Sequence, residues 1–145
     1  MKQEMVDVLN LEGEVVGIAT RQEMRRGRLP HRCVYILVFN KSGEIFIHLR
    51  TATKDVFPSY WDVCAGGVVA AGEDFETGAR REGFEELGIL AEPQFLFPFR
   101  YEDEHTTVFA RVYRCIDDGP FVLQKEEVVR GEFVSLIELG KRIAI

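Results

Sequence analysis

Gly66–Ile89 reads GGVVAAGEDFETGARREGFEELGI, and this stretch decides how the rest of the 145-residue chain is understood. It opens on an apolar, glycine-rich segment. Asp74 is a suitable N-cap for a helix beginning at Phe75, because its carboxylate can accept from an unpaired amide of the first turn. Gly88, followed by Ile89 and then Pro93, marks the predicted end of that helix. Between these limits Glu82, Glu85 and Glu86 stand at i, i+3 and i+4 and share one face. Like charges at that spacing repel by about 0.2–0.5 kcal/mol per pair. Helix propensity does not ask for such a cluster; a hard divalent cation does. Three glutamates alone are more often a solvated acidic face. Their company favours the cation: Arg81 lies one turn before Glu85 and can hold its carboxylate, and Glu73 at the helix entrance can hold Arg81 in turn.

The spacing is specific. Gly67 stands six residues before Glu73, then come Arg81-Glu82, Glu85-Glu86, Gly88 and the apolar Ile89. This run resembles the signature of the Nudix hydrolase family at every one of those positions. One residue departs from it: where the signature has a bulky apolar residue after Arg-Glu, this chain has Gly83. A glycine inside a helix costs about 1 kcal/mol relative to alanine, and Gly78 adds a second such position. Gly78, one turn before Glu82, is expected to keep the metal face open, and Gly83 to mark close packing of the helix.

The resemblance implies an α/β fold, the Nudix α/β/α sandwich with a mixed sheet between helices. It also implies hydrolysis of a pyrophosphate bond in a nucleoside diphosphate-linked or nucleoside di- or triphosphate substrate. Such bonds resist water because phosphoryl oxygens repel nucleophiles, so catalysis is largely charge neutralisation and positioning. Mg²⁺ suits this task, taking oxygen ligands and retaining some waters, with Mn²⁺ as an alternative. Glu82, Glu85 and Glu86 are the implied metal ligands, joined by a backbone carbonyl near Gly66 or Gly67. Glu73 and Arg81 are implied to orient them. For the general base, Glu85 and the later loop acids Glu102, Glu104, Glu126 and Glu127 all stay open.

The whole chain is consistent with that reading. Its length fits one domain, residues 1–145, whose 46% hydrophobic content is globular rather than disordered. A net charge of −6 disfavours a nucleic-acid polymer or an anionic membrane as partner. Phosphate recognition therefore falls to metal ions and a few placed cations. The charged N-terminus MKQEMVDVLNLEG does not read as a signal peptide, and no apolar run approaches a membrane span. A cytoplasmic location is expected. Cys33, Cys64 and Cys115 lack metal-type spacing, fall in predicted strands and are expected to be buried thiols. Dimers are common in the family, so a homodimer is compatible with the resemblance.

Along the chain, Val6–Leu9 and Val15–Ala19 flank a glycine-containing loop and predict an N-terminal β-hairpin extension. Arg21–Arg28 (RQEMRRGR) reads as an exposed basic turn, with a phosphate or partner contact by Arg25, Arg26 or Arg28 as the alternative. Cys33–Phe39 is an uninterrupted apolar run, as in a central strand buried on both faces. Glu44–Leu49 returns from it as a hairpin. His48 in that strand is expected to face solvent or a neighbouring layer rather than a metal.

The irregular stretch Thr51–Tyr60 is expected to carry specificity. Arg50 and Lys54 can reach phosphate oxygens from it, and Phe57, Tyr60 and Trp61 can stack a base, although Trp61 is expected to anchor the loop to the core. Asp62–Val69 should form the strand leading into the helix. Gln94–Tyr101 and Thr106–Ile116 read as further strands, Gly131–Val134 as a last one, and Leu136–Ile143 as a closing helix. The end at Ala144-Ile145, without a polar tail, is compatible with a longer natural terminus.

A second resemblance concerns isopentenyl diphosphate isomerases, which share the Nudix fold. LPHRCVYILVFN, FPSYWDVCAGG and the Glu102/Glu104 pair are similar to their segments, and His31 matches a histidine that binds metal there. Their catalytic cysteine, however, falls at Gly66 and a further metal histidine at Val68; Cys64 is two residues too early. Isomerases also lack the complete Arg-Glu…Glu-Glu helix, so the chain resembles a hydrolase on an isomerase-like branch of the family. A third alternative, a Nudix-fold module that binds nucleotide without turnover, usually loses motif carboxylates that this chain retains.

Overall fold

A computed structural model describes residues 4–54 and 57–143. Asp55 and Val56 of the specificity loop, the first three residues and the terminal Ala144-Ile145 lie outside the described residues.

The chain opens with a separate two-stranded hairpin, β1 (Met5–Leu9) and β2 (Val15–Thr20), as expected. The basic turn expected after it is corrected: Arg21–Gly27 is a helix, α1. Thr20 caps it by accepting from Glu23 N, while the Glu23 carboxylate accepts from Thr20 N at 2.9 Å. This reciprocal capping box is legible as Thr20-x-x-Glu23, and Arg28 ends the helix in a left-handed conformation.

The main sheet is built on β3 (His31–Phe39), flanked by β8 (Thr107–Ile116) in parallel, with β7 (Gln94–Glu102) antiparallel beyond it. On its other side β3 meets β4 (Ile45–Arg50) only at Phe39↔Ile45, so the predicted hairpin splays immediately after its turn. The sheet continues from β4 to β9 (Val128–Val134) and to the short β5 (Trp61–Asp62). The strand predicted for Asp62–Val69 is therefore broken. β5 pairs with β4, Val63-Cys64 cross the splay, and β6 (Ala65–Val68) pairs antiparallel with β3. Cys64 sits in that crossing rather than in a strand.

Alternation along β3 builds the two outer layers. Val34, Ile36 and Val38 form one core with Ala79 and Leu87 of the motif helix α2 (Phe75–Leu87). Cys33 on the other face packs with Met24 of α1 and Val6 of the hairpin. Farther along that face, Leu37 and Phe39 pack in a cluster with Leu139 of α3 (Leu136–Ile143). The result is a mixed sheet between helices, the expected sandwich.

Helix α2 forms where the sequence predicts it. Asp74 accepts from Thr77 N at 2.7 Å, and Gly88 caps the other end at φ 71°, in the left-handed region that favours glycine. Orphan carbonyls at that end are satisfied by Val122 N on Leu87 O and Gln124 N on Glu86 O. The two interior glycines have packing reasons. A Cβ on Gly83 would meet Ile36 Cδ1 at 3.1 Å, so β3 already fills the volume of the missing bulky residue. A Cβ on Gly78 would meet Glu73 Oε1 at 3.0 Å and Val69 at 3.3 Å. Gly78 thus makes room for Glu73, not for a metal face.

Candidate active site

Arg81 holds together the loop before α2 and the acids on it. Its Nε and Nη2 donate to Glu73 Oε2 and Oε1 at 2.8 and 2.9 Å, a bidentate pair. Nη2 also donates to Val68 O at 3.2 Å. Nη1 donates to Glu82 Oε1 at 2.9 Å and Glu85 Oε2 at 3.2 Å. The Arg81 hydrogen bond keeps the Glu73 carboxyl below the usual carboxylate range, and Glu73 in turn pushes Arg81 upward. Glu82 is pushed the other way, by burial first, with Glu86 and Glu85 adding like-charge repulsion against the opposing pull of Arg81.

The three acids form an arc from solvent to core. Glu85 is half exposed, Glu82 is largely covered, and Glu86 is 4% exposed. A Cβ on Gly67 would stand 2.8 Å from Glu82 Oε2, so the bare backbone of β6 is what lets that carboxylate approach the strand. Glu86 Oε2 accepts from Gly66 N at 3.5 Å, and its Oε1 lies 3.2 Å from His48 Nε2. His48 is 1% exposed. Its expected solvent orientation is corrected: like Phe46 it faces the α2 layer, because the two stand on the same side of β4.

Oxygen donors in this arrangement suit a hard cation. Among the described residues no three His, Cys, Asp or Glu side chains already converge as a ligand set, because Arg81 occupies Glu82 and Glu85. Taking up an ion therefore means that these two carboxylates exchange contacts with Arg81.

On the other face of β6 lies a cavity of about 440 Å³ that shares Gly66 and Gly67 with the acid side. Its described charged lining is mainly cationic: Arg21, Arg25, Arg50 and Lys54, with Asp62 the acid among them. Arg50 donates to Asp62 and to Phe57 O, and Lys54 pairs with Glu127. Phe57, Tyr60 and Trp61 stand at the rim, and Trp61 is 45% exposed beneath the Arg130 guanidinium. The expectation that Trp61 anchors the loop to the core is therefore overturned. Tyr35, Phe99 and Thr106 line the cavity too, and nothing in the local sequence pattern around them signals that role.

Arg50, Lys54 and Phe57 thus meet at this pocket, and Glu127 reaches its rim through Lys54. Glu102 and Glu104 do not line it. Glu102 lies beside Arg100 and Thr107, and Glu104 is paired with His105 on an exposed loop. Glu126 contributes its carbonyl to Thr51 Oγ1.

The isomerase activity lacks its nucleophile here. A Cβ on Gly66 would lie 2.0 Å from Val34 O, leaving no room for a catalytic cysteine at that position. Cys64 donates its Sγ proton to Asp62 Oδ1 at 3.3 Å, and burial pushes its pKa well above the ordinary thiol value. It is not a ready nucleophile. Cys33 and Cys115 are buried free thiols, pushed by burial up to about 12 and about 11.

The NUDIX domain family model matches residues 29–144, four-fifths of the chain. The chain belongs to the Nudix family. It is 44% identical over 126 residues to the Nudix hydrolase YfcD of Salmonella typhi, covering 86% of this chain and 68% of that one. The crystal structure of DR0079 from Deinococcus radiodurans superposes with a TM-score of 0.84 at 31% identity, covering 97% and 89% of the two chains. The MutT protein of Methanosarcina mazei Go1 gives 0.69 at 27% identity over 76% and 80%. This Nudix domain is an enzyme, a pyrophosphohydrolase, of a family that acts on small phosphorylated substrates with divalent metals. Its matched region begins after the β1–β2 hairpin and α1. Among the described residues no helix is long and apolar enough to cross a membrane.

Proposed function

We propose that the chain, acting as a single domain, is a Mg²⁺-dependent hydrolase of the pyrophosphate bond in a nucleoside diphosphate-linked or nucleoside di- or triphosphate substrate. The observation that supports this is the shared seam Gly66-Gly67. It has the acids of α2 on one side and a cationic, aromatic-lined cavity on the other. The cavity volume suits a small ligand.

In this reading Glu82, Glu85 and Glu86 would hold the ion, whose chemistry when bound would be neutralisation of phosphate charge and activation of water. Arg81 then acts as the alternative partner of Glu82 and Glu85 between turnovers, with Glu73 fixing its guanidinium. Gly67, by lacking a side chain, leaves Glu82 access to β6. Arg50 and Lys54 contact phosphate oxygens, each held at the cavity by an acid, Asp62 or Glu127. Of the base candidates, Glu85 is the one beside the metal-ligand cluster, while Glu102 ends β7 and Glu104 sits on the loop after it, both outside the cavity lining. Free cysteines accord with a reducing, cytoplasmic location.

The test is turnover of a nucleotide panel with Mg²⁺, followed by phosphate release and product analysis, for the wild type and Glu86→Gln. Loss of metal-dependent turnover with an unchanged fold is the expected result. Unchanged turnover in Glu86→Gln would remove the ligand assignment, and binding without product would turn the reading into a non-catalytic module.

A further inference from the structure

Two polar atoms inside the cavity lack a partner among the described residues. One belongs to His31, whose Nδ1 lies 2.9 Å from Leu29 O. A carbonyl can only accept, so Nδ1 is the nitrogen that carries the proton. The ring is 1% exposed, and burial, with Arg25 and Arg21 nearby, lowers its pKa to about 4. At neutral pH the ring is uncharged and Nε2 is a bare lone pair. Neither His31 Nε2 nor Thr106 Oγ1 has a hydrogen-bond partner among the described residues, although both residues are buried. Both line the cavity.

They enter it together for a reason of register. His31 opposes Val108 in the parallel pair β3–β8, and Thr106 stands just before β8, two residues ahead of Val108. Tyr35 and Phe99, a tilted ring pair with centroids 6.0 Å apart, line the same cavity. An ionised phosphate carries no donor for the Nε2 lone pair, and its oxygens would find their partners at Arg21 and Arg25 of the same cavity instead. A metal is a poor occupant too, since Glu102 and Glu104 lie outside the cavity and no ligand set forms around the ring among the described residues. A flat heteroaromatic ring with an N–H on its edge offers a donor to the Nε2 lone pair and an apolar face to this aromatic lining.

We infer that the inner end of the cavity is a nucleobase subsite, in which His31 Nε2 accepts from a base N–H and the Thr106 hydroxyl completes the contact with the same edge. This rests on the proposed function in placing the diphosphate at the seam with α2. His31 is then a specificity residue: a base lacking a donor there leaves a buried acceptor unmet, which is the strongest form of hydrogen-bond discrimination.

The test is metal-free calorimetric binding of the common nucleoside diphosphates, of ribose 5-phosphate and of inorganic pyrophosphate, to the wild type, His31→Phe and Thr106→Val. Expected is a preferred nucleotide whose affinity falls about 10- to 100-fold in His31→Phe, with pyrophosphate affinity unchanged. The 2-pyrimidinone or unsubstituted purine analogue, lacking the donor, should bind the wild type more weakly by a similar factor and lose nothing further in His31→Phe. Should His31→Phe fail to fold, Thr106→Val carries the same comparison. Ribose 5-phosphate binding as tightly as every nucleotide, or equal nucleotide affinity in folded variants, overturns the inference. Base-dependent binding without Mg²⁺-dependent hydrolysis would overturn the proposed function alone, and hydrolysis indifferent to the base would overturn the subsite alone.

Discussion

His48 Nε2 stands 3.2 Å from Glu86 Oε1, and both side chains are sealed between β4 and α2. The His48 ring thus packs beneath Glu86 from outside the motif, close to its carboxylate but without hydrogen-bond geometry. Residues that orient a metal ligand commonly carry about 10- to 100-fold of affinity or activity. His48→Phe, which keeps a ring in the space, is expected to lower Mg²⁺-dependent turnover by about 10- to 100-fold. Metal affinity measured by titration should fall with it. Turnover at the wild-type level would show that Glu86 needs no such support.

Arg81 contacts three acids at once, so Arg81→Gln should do more than remove one ion pair. Glu73 and Glu82 are both largely covered, and losing their hydrogen bonds is expected to cost about 1–3 kcal/mol of stability. Activity should fall more steeply than stability, because Glu82 and Glu85 lose their alignment. Urea unfolding and turnover on the same preparation separate the two effects.

Acid should act partly through Glu73, whose pKa in the folded state is lowered by Arg81. Such a group contributes stability in full above its unfolded pKa, about 4.3, and loses it as pH falls through the folded value. Glu82 opposes this, since burial raises its pKa and its ionisation costs stability above the unfolded value. The stability gap between wild type and Glu73→Gln should be widest near neutrality and close below pH ~4. Parallel urea midpoints from neutrality down to acid would contradict the assignment.

Gly67→Ala places a methyl 2.8 Å from Glu82 Oε2. The carboxylate has to move, and with it one expected metal ligand. Turnover should drop at least about 10-fold while the circular dichroism spectrum stays that of the wild type. Full activity would mean that Glu82 has no need of its place beside β6.

Gly83→Leu restores the bulky residue of the motif but collides with Ile36, whose Cδ1 lies 3.1 Å from the point a Cβ would occupy. Overpacking of this kind costs about 1–3 kcal/mol. Ile36→Ala opens the space, so the double variant should be more stable than the two single losses predict when added. Additive losses in a thermal or urea cycle would place the strain elsewhere.

Much of the fold is legible in the sequence because local rules and tertiary packing agree. Asp74 and Gly88 bound α2 by backbone hydrogen bonding that short-range sequence already specifies. The apolar run in β3 announces a strand covered on both faces. The α1 helix is harder to read because its basic composition outweighs the capping box at Thr20 and Glu23. The β3–β4 splay is hidden for a different reason: a turn signal fixes where two strands reverse, not how far they stay paired.

The sequence by itself determined the acid helix, because the spacing of Glu82, Glu85 and Glu86 on a 3.6-residue period needs no distant partner to put them on one face. It also determined the clamp, since Arg81 is one turn from Glu85 and its partner Glu73 lies just before the helix. Only the tertiary structure decided that His48 lies beneath Glu86, that Ile36 occupies the place of a side chain at Gly83, and that His31 and Thr106 open into one cavity. Those relations join residues 38 to 75 positions apart through strand register and sheet splay. Register depends on which strands pair across the whole sheet, and no local period encodes that.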